Sequence, residues 1–271
     1  MENRDIEYLH QMRVALRRER SAFSIFSKAF SKAALAPMRE ELKWLSDQLG
    51  PARDWDVFVT ETFAKIFEHF SEHPGMLALR KSCEQVRREH NHHAREAVAS
   101  SHYTELMLKL GAWLSAESWL IPAETPSNDA VENDRSEMEV KTFSGALLSQ
   151  RHGQLEKYGK KLKKLSLTEL HELRILIKKQ RYAAEFFASL YRDKKAKRYI
   201  KSLAALQEIL GTINDTAVIE LLLSEVPAAE ENGSEHEGIG IVRGWAASQA
   251  VTKMPELAVA WVEFEKNDPF W

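Results

Sequence analysis

Apolar side chains recur along this chain with the period of a helix. On a wheel advancing about 100° per residue, Leu9, Met12, Leu16, Phe23, Phe26 and Phe30 share one face, which predicts an amphipathic helix. Leu170, Leu173, Ile177, Ala184, Phe187 and Tyr191 fall at the same angles farther along. A second helix carries Leu42, Leu45 and Leu49 and is expected to stop at Gly50, a residue suited to the position just past a helix end. Asp54 and Asp56 then lie near the start of a third helix through Val57, Phe63, Ile66 and Phe67, which Pro74-Gly75 ends. A fourth is predicted from about Leu77 to Ala99, and a short fifth from Tyr103 to Leu114. The second half repeats this order and closes with a helix over 241–264. Glycine (11) and proline (8) are scarce, which argues against a loop-rich all-β protein.

The recurrence keeps a constant register. His10-Gln11-Met12-Arg13-Val14 matches His171-Glu172-Leu173-Arg174-Ile175 at an offset of 161. Arg17-Arg18-Glu19-Arg20 matches Lys178-Lys179-Gln180-Arg181 at the same offset, and Phe26 matches Phe187. Leu42, Leu45, Leu49, Gly50, Asp54 and Val57 match Leu203, Leu206, Leu210, Gly211, Asp215 and Val218. Two copies of one module explain this better than chance. Between them, 121–135 is acidic, carries two prolines and lacks periodicity, as a linker does. The expected organisation is a first helical-bundle repeat over 1–120, an acidic linker over 121–140 and a second repeat over 141–271. The expected fold class is all-α, with two antiparallel four-helix-type bundles about a pseudo-twofold axis. A second acidic stretch, 227–240, reads as a long loop.

Charge changes the picture more than composition does. The formal net charge is only −2, yet residues 157–201 hold fifteen Lys/Arg against four acids. Residues 117–139 hold seven acids against one arginine, and 220–237 hold six acids and no Lys or Arg. Such segregation predicts a strong local positive field and makes acidic small molecules or polyanions the first partners to consider. A single cysteine, Cys83, excludes an intrachain disulfide and a multi-Cys zinc site. No apolar run approaches the roughly 18 residues of a membrane span, and no secretory leader is evident. A cytoplasmic location with no membrane association is expected.

The candidate chemistry lies beside the core face of the repeated helix. His10, Arg13, Arg17 and Arg20 fall within about 80° of one another, as do His171, Arg174, Lys178 and Arg181. Arg18 and Lys179 lie nearer the solvent side. Like charges on one helix face cost about 0.2–0.5 kcal/mol per pair, so selection for stability alone would interleave acids. Repetition of the whole stripe favours a site where guanidinium forks and ammonium groups neutralise oxyanions spaced along a chain. Two such stripes brought together would form an extended positive channel. The alternative is a solvated basic face with ordinary salt bridges.

H-x-x-R-x-x-x-R-R-x-R at 10–20 and H-x-x-R-x-x-x-K-K-x-R-Y at 171–182, followed by L-G-x-x-R-D-x-D-V at 49–57 and L-G-x-x-N-D at 210–215, resemble the CHAD domain, the conserved histidine α-helical domain. The resemblance implies two four-helix bundles that bind inorganic polyphosphate. Carried over position by position, it implies a binding surface of His10, Arg13, Arg17, Arg18, Arg20, His171, Arg174, Lys178, Lys179, Arg181 and Tyr182. Lys43 stands where the family favours a base, although its repeat partner is Ala204. A naked polyphosphate offers no bases to stack on or read, so many cations and few aromatics suit it, and binding is expected to weaken with salt. Either histidine can assist as imidazolium or orient a neighbour while neutral. No cofactor, metal or catalytic residue is expected. Polyphosphate granules are a candidate location.

Two other function classes remain open: a phosphohydrolase or phosphotransferase acting on polyphosphate or nucleotides, and a nucleic-acid binder using the same field. The first needs a convergent acidic metal cluster. Asp54, Asp56 and Asp215 are expected instead to cap the third helix or to pair with Arg13 and Arg174. His69–His73 matches H-x-x-E-H, but Pro74-Gly75 follows at once. His90, His92 and His93 read as surface histidines, and Cys83 as a small helix residue. The lysines of 157–164 read either as a solvated face or as an extension of the anion path.

Overall fold

The computed structural model describes residues 2–27, 30, 32–118, 139–227 and 234–271. Its elements are α1 (Glu2–Phe26), α2 (Lys32–Val57), a π-helical turn (Phe58–Phe63), α3 (Ala64–His69), α4 (Pro74–Ala99) and α5 (Ser101–Ser115). They continue with α6 (Val140–Gly159), a 3-10 turn (Leu162–Lys164), α7 (Leu167–Phe187), a second 3-10 turn (Ala188–Leu190), α8 (Asp193–Glu225) and α9 (Ser234–Glu265). No strand occurs among the described residues, and the fold is all-α. Two compact units share the chain: Met1–Glu137 with Glu225–Ile239, and Met138–Ser224 with Gly240–Trp271. Of the acidic stretch 121–140, all but 139–140 lies outside the described residues.

In the first unit α2 packs against α1, α4 and α5. The apolar stripes meet in a core of Leu9, Leu16, Met38, Leu42, Leu45, Leu49, Ala52, Ala94 and Leu106. Phe23 of α1 stacks on Trp113 of α5 at 5.5 Å between ring centroids. Helix starts follow local chemistry. His73 caps α4 by accepting from the Gly75 amide at 3.1 Å, with Pro74 at the first helical position, where its missing N–H leaves no bond unmade. The Ser100 hydroxyl caps α5 through the Tyr103 amide.

The helix containing Leu49 does not stop at Gly50. It runs through Gly50-Pro51 to Val57, so Asp54 and Asp56 belong to its last turns rather than to a new helix. Gly211 likewise lies inside α8. Pro51 forfeits one backbone hydrogen bond, but Leu49, Ala52 and Trp55 on either side are fully buried, and their packing outweighs the local stop signal.

Residues 225–239 return to the first unit. Glu225 accepts from Trp55 Nε1 at 3.0 Å and pairs with His90 Nε2 at 2.8 Å. His73 Nε2 lies 3.8 Å from Glu237. The backbones of Gly75 and Gly238 touch so closely that a Cβ on either would overlap the facing main chain. Gly75→Ala is therefore expected to destabilise the protein by about 1–3 kcal/mol, the usual cost of overpacking, measured as a lower urea midpoint. Ala at Gly111, which has open space around it, is the control.

In the second unit α6 packs on α7. A capping box opens α7: the Glu169 amide donates to Ser166 Oγ, while the Glu169 side chain accepts from the Ser166 amide at 2.9 Å. Lys161 at 2.7 Å and the Ser166 bonds hold the Glu169 carboxyl down to about 2. Leu148, Leu155, Leu173, Ile177, Phe187, Leu203, Leu206, Leu210 and Phe264 are buried. Among them Tyr199 keeps its hydroxyl paired, accepting from Gln180 Nε2 at 3.0 Å and meeting His152 Nδ1 at 2.8 Å. Burial holds the His152 pKa below its ordinary value.

Candidate functional site

The α1 stripe is organised by Arg13. Its guanidinium reaches across to α2, where Nη1 donates to the Ser46 carbonyl at 2.9 Å. It lies against Gly50, where a Cβ would stand in ordinary contact 3.6 Å from Nη1. Burial lowers the Arg13 pKa, and the charges of Arg20, Arg17 and Arg53 lower it further, against the pull of Asp54. Arg13 thus feels three other guanidinium groups as well as the Asp54 carboxylate. Arg17 and Arg20 are exposed, and Arg13 is half-buried.

Asp54 keeps a solvent-facing edge, yet the protein crowded around its carboxyl raises its pKa, with a smaller push from Glu225, despite the opposing pull of Arg13 and Arg53. Arg18 and Lys43 are exposed and are not among the charges acting on Arg13; His10 is half-buried. Arg53 belongs with the stripe although it sits on α2, and Glu61 lies 3.6 Å from its Nη2. Helical periodicity on α1 cannot reveal it. The sequence signal is its place beside Asp54 in the 49–57 motif.

The α7 stripe pairs the corresponding positions. Asp215 feels the charge of Arg174 as Asp54 feels that of Arg13, and burial likewise raises its pKa even though part of it meets solvent. His171, exposed, hydrogen-bonds through Nδ1 to the side-chain oxygen of Asn214. Arg181 lies 3.2 Å from Glu185 and places its guanidinium 5.2 Å from the Tyr182 ring centroid. The Nε atoms of Arg174 and Arg181 are buried and without an acceptor among the described residues. Lys178 and Tyr182 are half-buried, and Lys179 is exposed.

Arg151 of α6 adds a cation that the stripe pattern does not contain. Its Nη1 donates to the Lys179 carbonyl at 2.8 Å, and burial lowers its pKa. In the 157–164 cluster Lys161 is engaged by Glu169, whereas Lys157, Lys160, Lys163 and Lys164 are exposed.

Several other candidates have structural roles. Asp56 pairs with neither Arg13 nor Arg174. It is fully buried, and its Oδ1 accepts from Arg87 Nε at 2.8 Å and Asn91 Nδ2 at 3.0 Å. His90 is not a mere surface histidine, since it is half-buried on Glu225. His69 ends α3 while His73 caps α4, so the H-x-x-E-H pair is split between two helices. Cys83 is buried, and its thiol is pushed up to about 12, far from a reactive thiolate. Among the described residues no group of three His, Cys, Asp or Glu side chains converges as a metal site. No described helix is long and apolar enough to cross a membrane.

The family model of the CHAD domain matches residues 1–224, a span that contains both stripes. The chain belongs to the CHAD-domain family. The crystal structure of the CHAD domain from the plant Ricinus communis is similar to it at 30% identity and a TM-score of 0.78, covering 98% of this chain and 84% of that one. PptA from Streptomyces chartreusis shares the fold at 14% identity and a TM-score of 0.68, over 95% of this chain and 90% of its own. No curated protein matches the sequence. The CHAD match ends at residue 224, before α9 begins at Ser234.

Proposed function

We propose that this chain binds inorganic polyphosphate through the basic ridges of α1 and α7, as a binding module rather than an enzyme, in the cytoplasm and in contact with polyphosphate granules. The observation that carries the reading is the gathering of Arg17, Arg20 and Arg53 around a half-buried Arg13, whose guanidinium bridges α1 to the Ser46 carbonyl of α2. Gathering like charges and partly burying one of them works against folding. A bound polyanion reverses that cost and stabilises the folded state by mass action. Arginine suits the task because its planar fork can give two hydrogen bonds to one phosphate. Polyphosphate has anionic oxygens along its length and no bases, so cations alone can hold it. Membership of the CHAD family adds to the expectation of this ligand.

The test is an Arg13→Gln/Arg17→Gln variant titrated with fluorescent long-chain polyphosphate. Charge-assisted hydrogen bonds contribute about 1.5–3 kcal/mol each, so the pair is expected to weaken binding about a hundredfold. Wild-type affinity in this variant would overturn the assignment. Competition separates the other readings: polyphosphate should displace RNA or DNA at far lower phosphate equivalents, and the reverse order points to nucleic acid. Release of phosphate on prolonged incubation with Mg²⁺ or Mn²⁺ points to an enzyme.

A further inference from the structure

We infer that the two ridges are unequal anion sites, the α1 ridge being the tighter, and that Arg53 sets the difference. The inference rests on the polyanion reading above and concerns how that site divides its work. In the first unit the Arg13 guanidinium lies against Gly50 of α2, and Arg53 stands one turn farther along that same helix, so Arg13 meets the charge of Arg53 as well as those of Arg17 and Arg20 on its own helix. The ridge is thereby widened from a line of charges on α1 to a surface spanning α1 and α2. A phosphate chain on that surface meets cations on both flanks.

The second unit has no cation at the place of Arg53; its cation from a neighbouring helix is Arg151 of α6, half-buried and spent on the Lys179 carbonyl at 2.8 Å. The position matching Arg53 is Asn214, which is neutral and already bonded to His171. The position matching Lys43 is Ala204. Arg181 has Glu185 at 3.2 Å, whereas its counterpart Arg20 is followed four residues on by Ser24. Carboxylates face both ridges in a similar way, Asp54 on Arg13 and Asp215 on Arg174. They do not create the difference. Arg53 does have an acidic neighbour, Glu61, but at 3.6 Å and exposed on its own side, a contact that a phosphate can displace.

The experiment exchanges the two residues in the full chain. Arg53→Asn and Asn214→Arg are each titrated with long-chain polyphosphate over a range of NaCl concentrations. Each phosphate neutralised contributes about 0.7 to the slope of log affinity against log salt for a single-stranded polyanion. Arg53→Asn is expected to weaken binding about tenfold and to flatten that slope by about 0.7, while Asn214→Arg steepens it by a similar amount. Arg53→Lys keeps the slope and loses only part of the affinity, because it retains charge without the fork.

An unchanged slope in either exchange overturns the inference. So does equal weakening by Arg13→Gln/Arg17→Gln and Arg174→Gln/Lys178→Gln. Glu61→Gln is the structural control: if it lowers affinity as much as Arg53→Asn, Arg53 acts through its ion pair and the inference fails. If the wild-type chain does not bind polyphosphate even at low salt, the functional reading itself fails.

Discussion

Raising the salt from about 50 to 200 mM is expected to lower the affinity for long-chain polyphosphate several thousandfold, since a slope of about −0.7 per neutralised phosphate applies and about nine cations engage. Those cations are Arg13, Arg17, Arg18, Arg20 and Arg53 in the first unit, and Arg174, Lys178, Lys179 and Arg181 in the second. The dependence arises because each cation that replaces a condensed counterion releases it into bulk, a release favoured less as bulk salt rises. Aromatic stacking or apolar burial would not produce such a slope. A titration series at stepped NaCl concentrations measures it directly. A fall of less than tenfold would mean that the ridges do not act through charge.

Asp56→Ala is expected to destabilise the protein by about 3–5 kcal/mol, the range for removing one partner of a buried ion pair. Asp56 sits at the end of α2 with its side chain fully enclosed, and Arg87 of α4 is only slightly exposed. Burial alone works against the Arg87 charge, but the bond to Asp56 and the nearby Glu84 overcome it and raise the Arg87 pKa. Without Asp56, Arg87 keeps Glu84, at 3.0 Å and at the edge of the protein, and Asn91 keeps only the Arg87 carbonyl of its two acceptors. The double variant Asp56→Leu/Arg87→Met removes both charges and should recover most of the loss, because replacing a buried pair by apolar side chains is often neutral. Urea unfolding followed by circular dichroism checks both, and an Asp56→Ala midpoint at the wild-type value would refute the role. Polyphosphate binding by the surviving folded fraction should be unchanged, since Asp56 does not touch the ridge.

The helices and the basic stripes were legible because both are written in local spacing. Leu170, Leu173 and Ile177 announce the buried face of α7. The sequence also put Asp54 and Asp215 with Arg13 and Arg174, and each acid does feel the charge of its arginine, although Asp56, grouped with them, does not. Gly50 misled for the same reason that local rules usually work. Glycine ends a helix when nothing else decides, and here the burial of Leu49, Ala52 and Trp55 does decide.

Partner choice between distant segments was not legible. Asp56 finds Arg87, His90 finds Glu225, and Arg151 finds the Lys179 carbonyl, each across a separation that no period spans. The amino-acid order by itself determined that this protein is helical, that it carries two cationic stripes, and which side chains form them, because charge and the helical repeat are properties of neighbours. Only the tertiary structure decided that Arg53 joins Arg13, that Asp56 is a buried anchor, and that α2 runs unbroken past Gly50. Those outcomes depend on which surfaces exclude water together, a free energy shared among segments far apart in the chain.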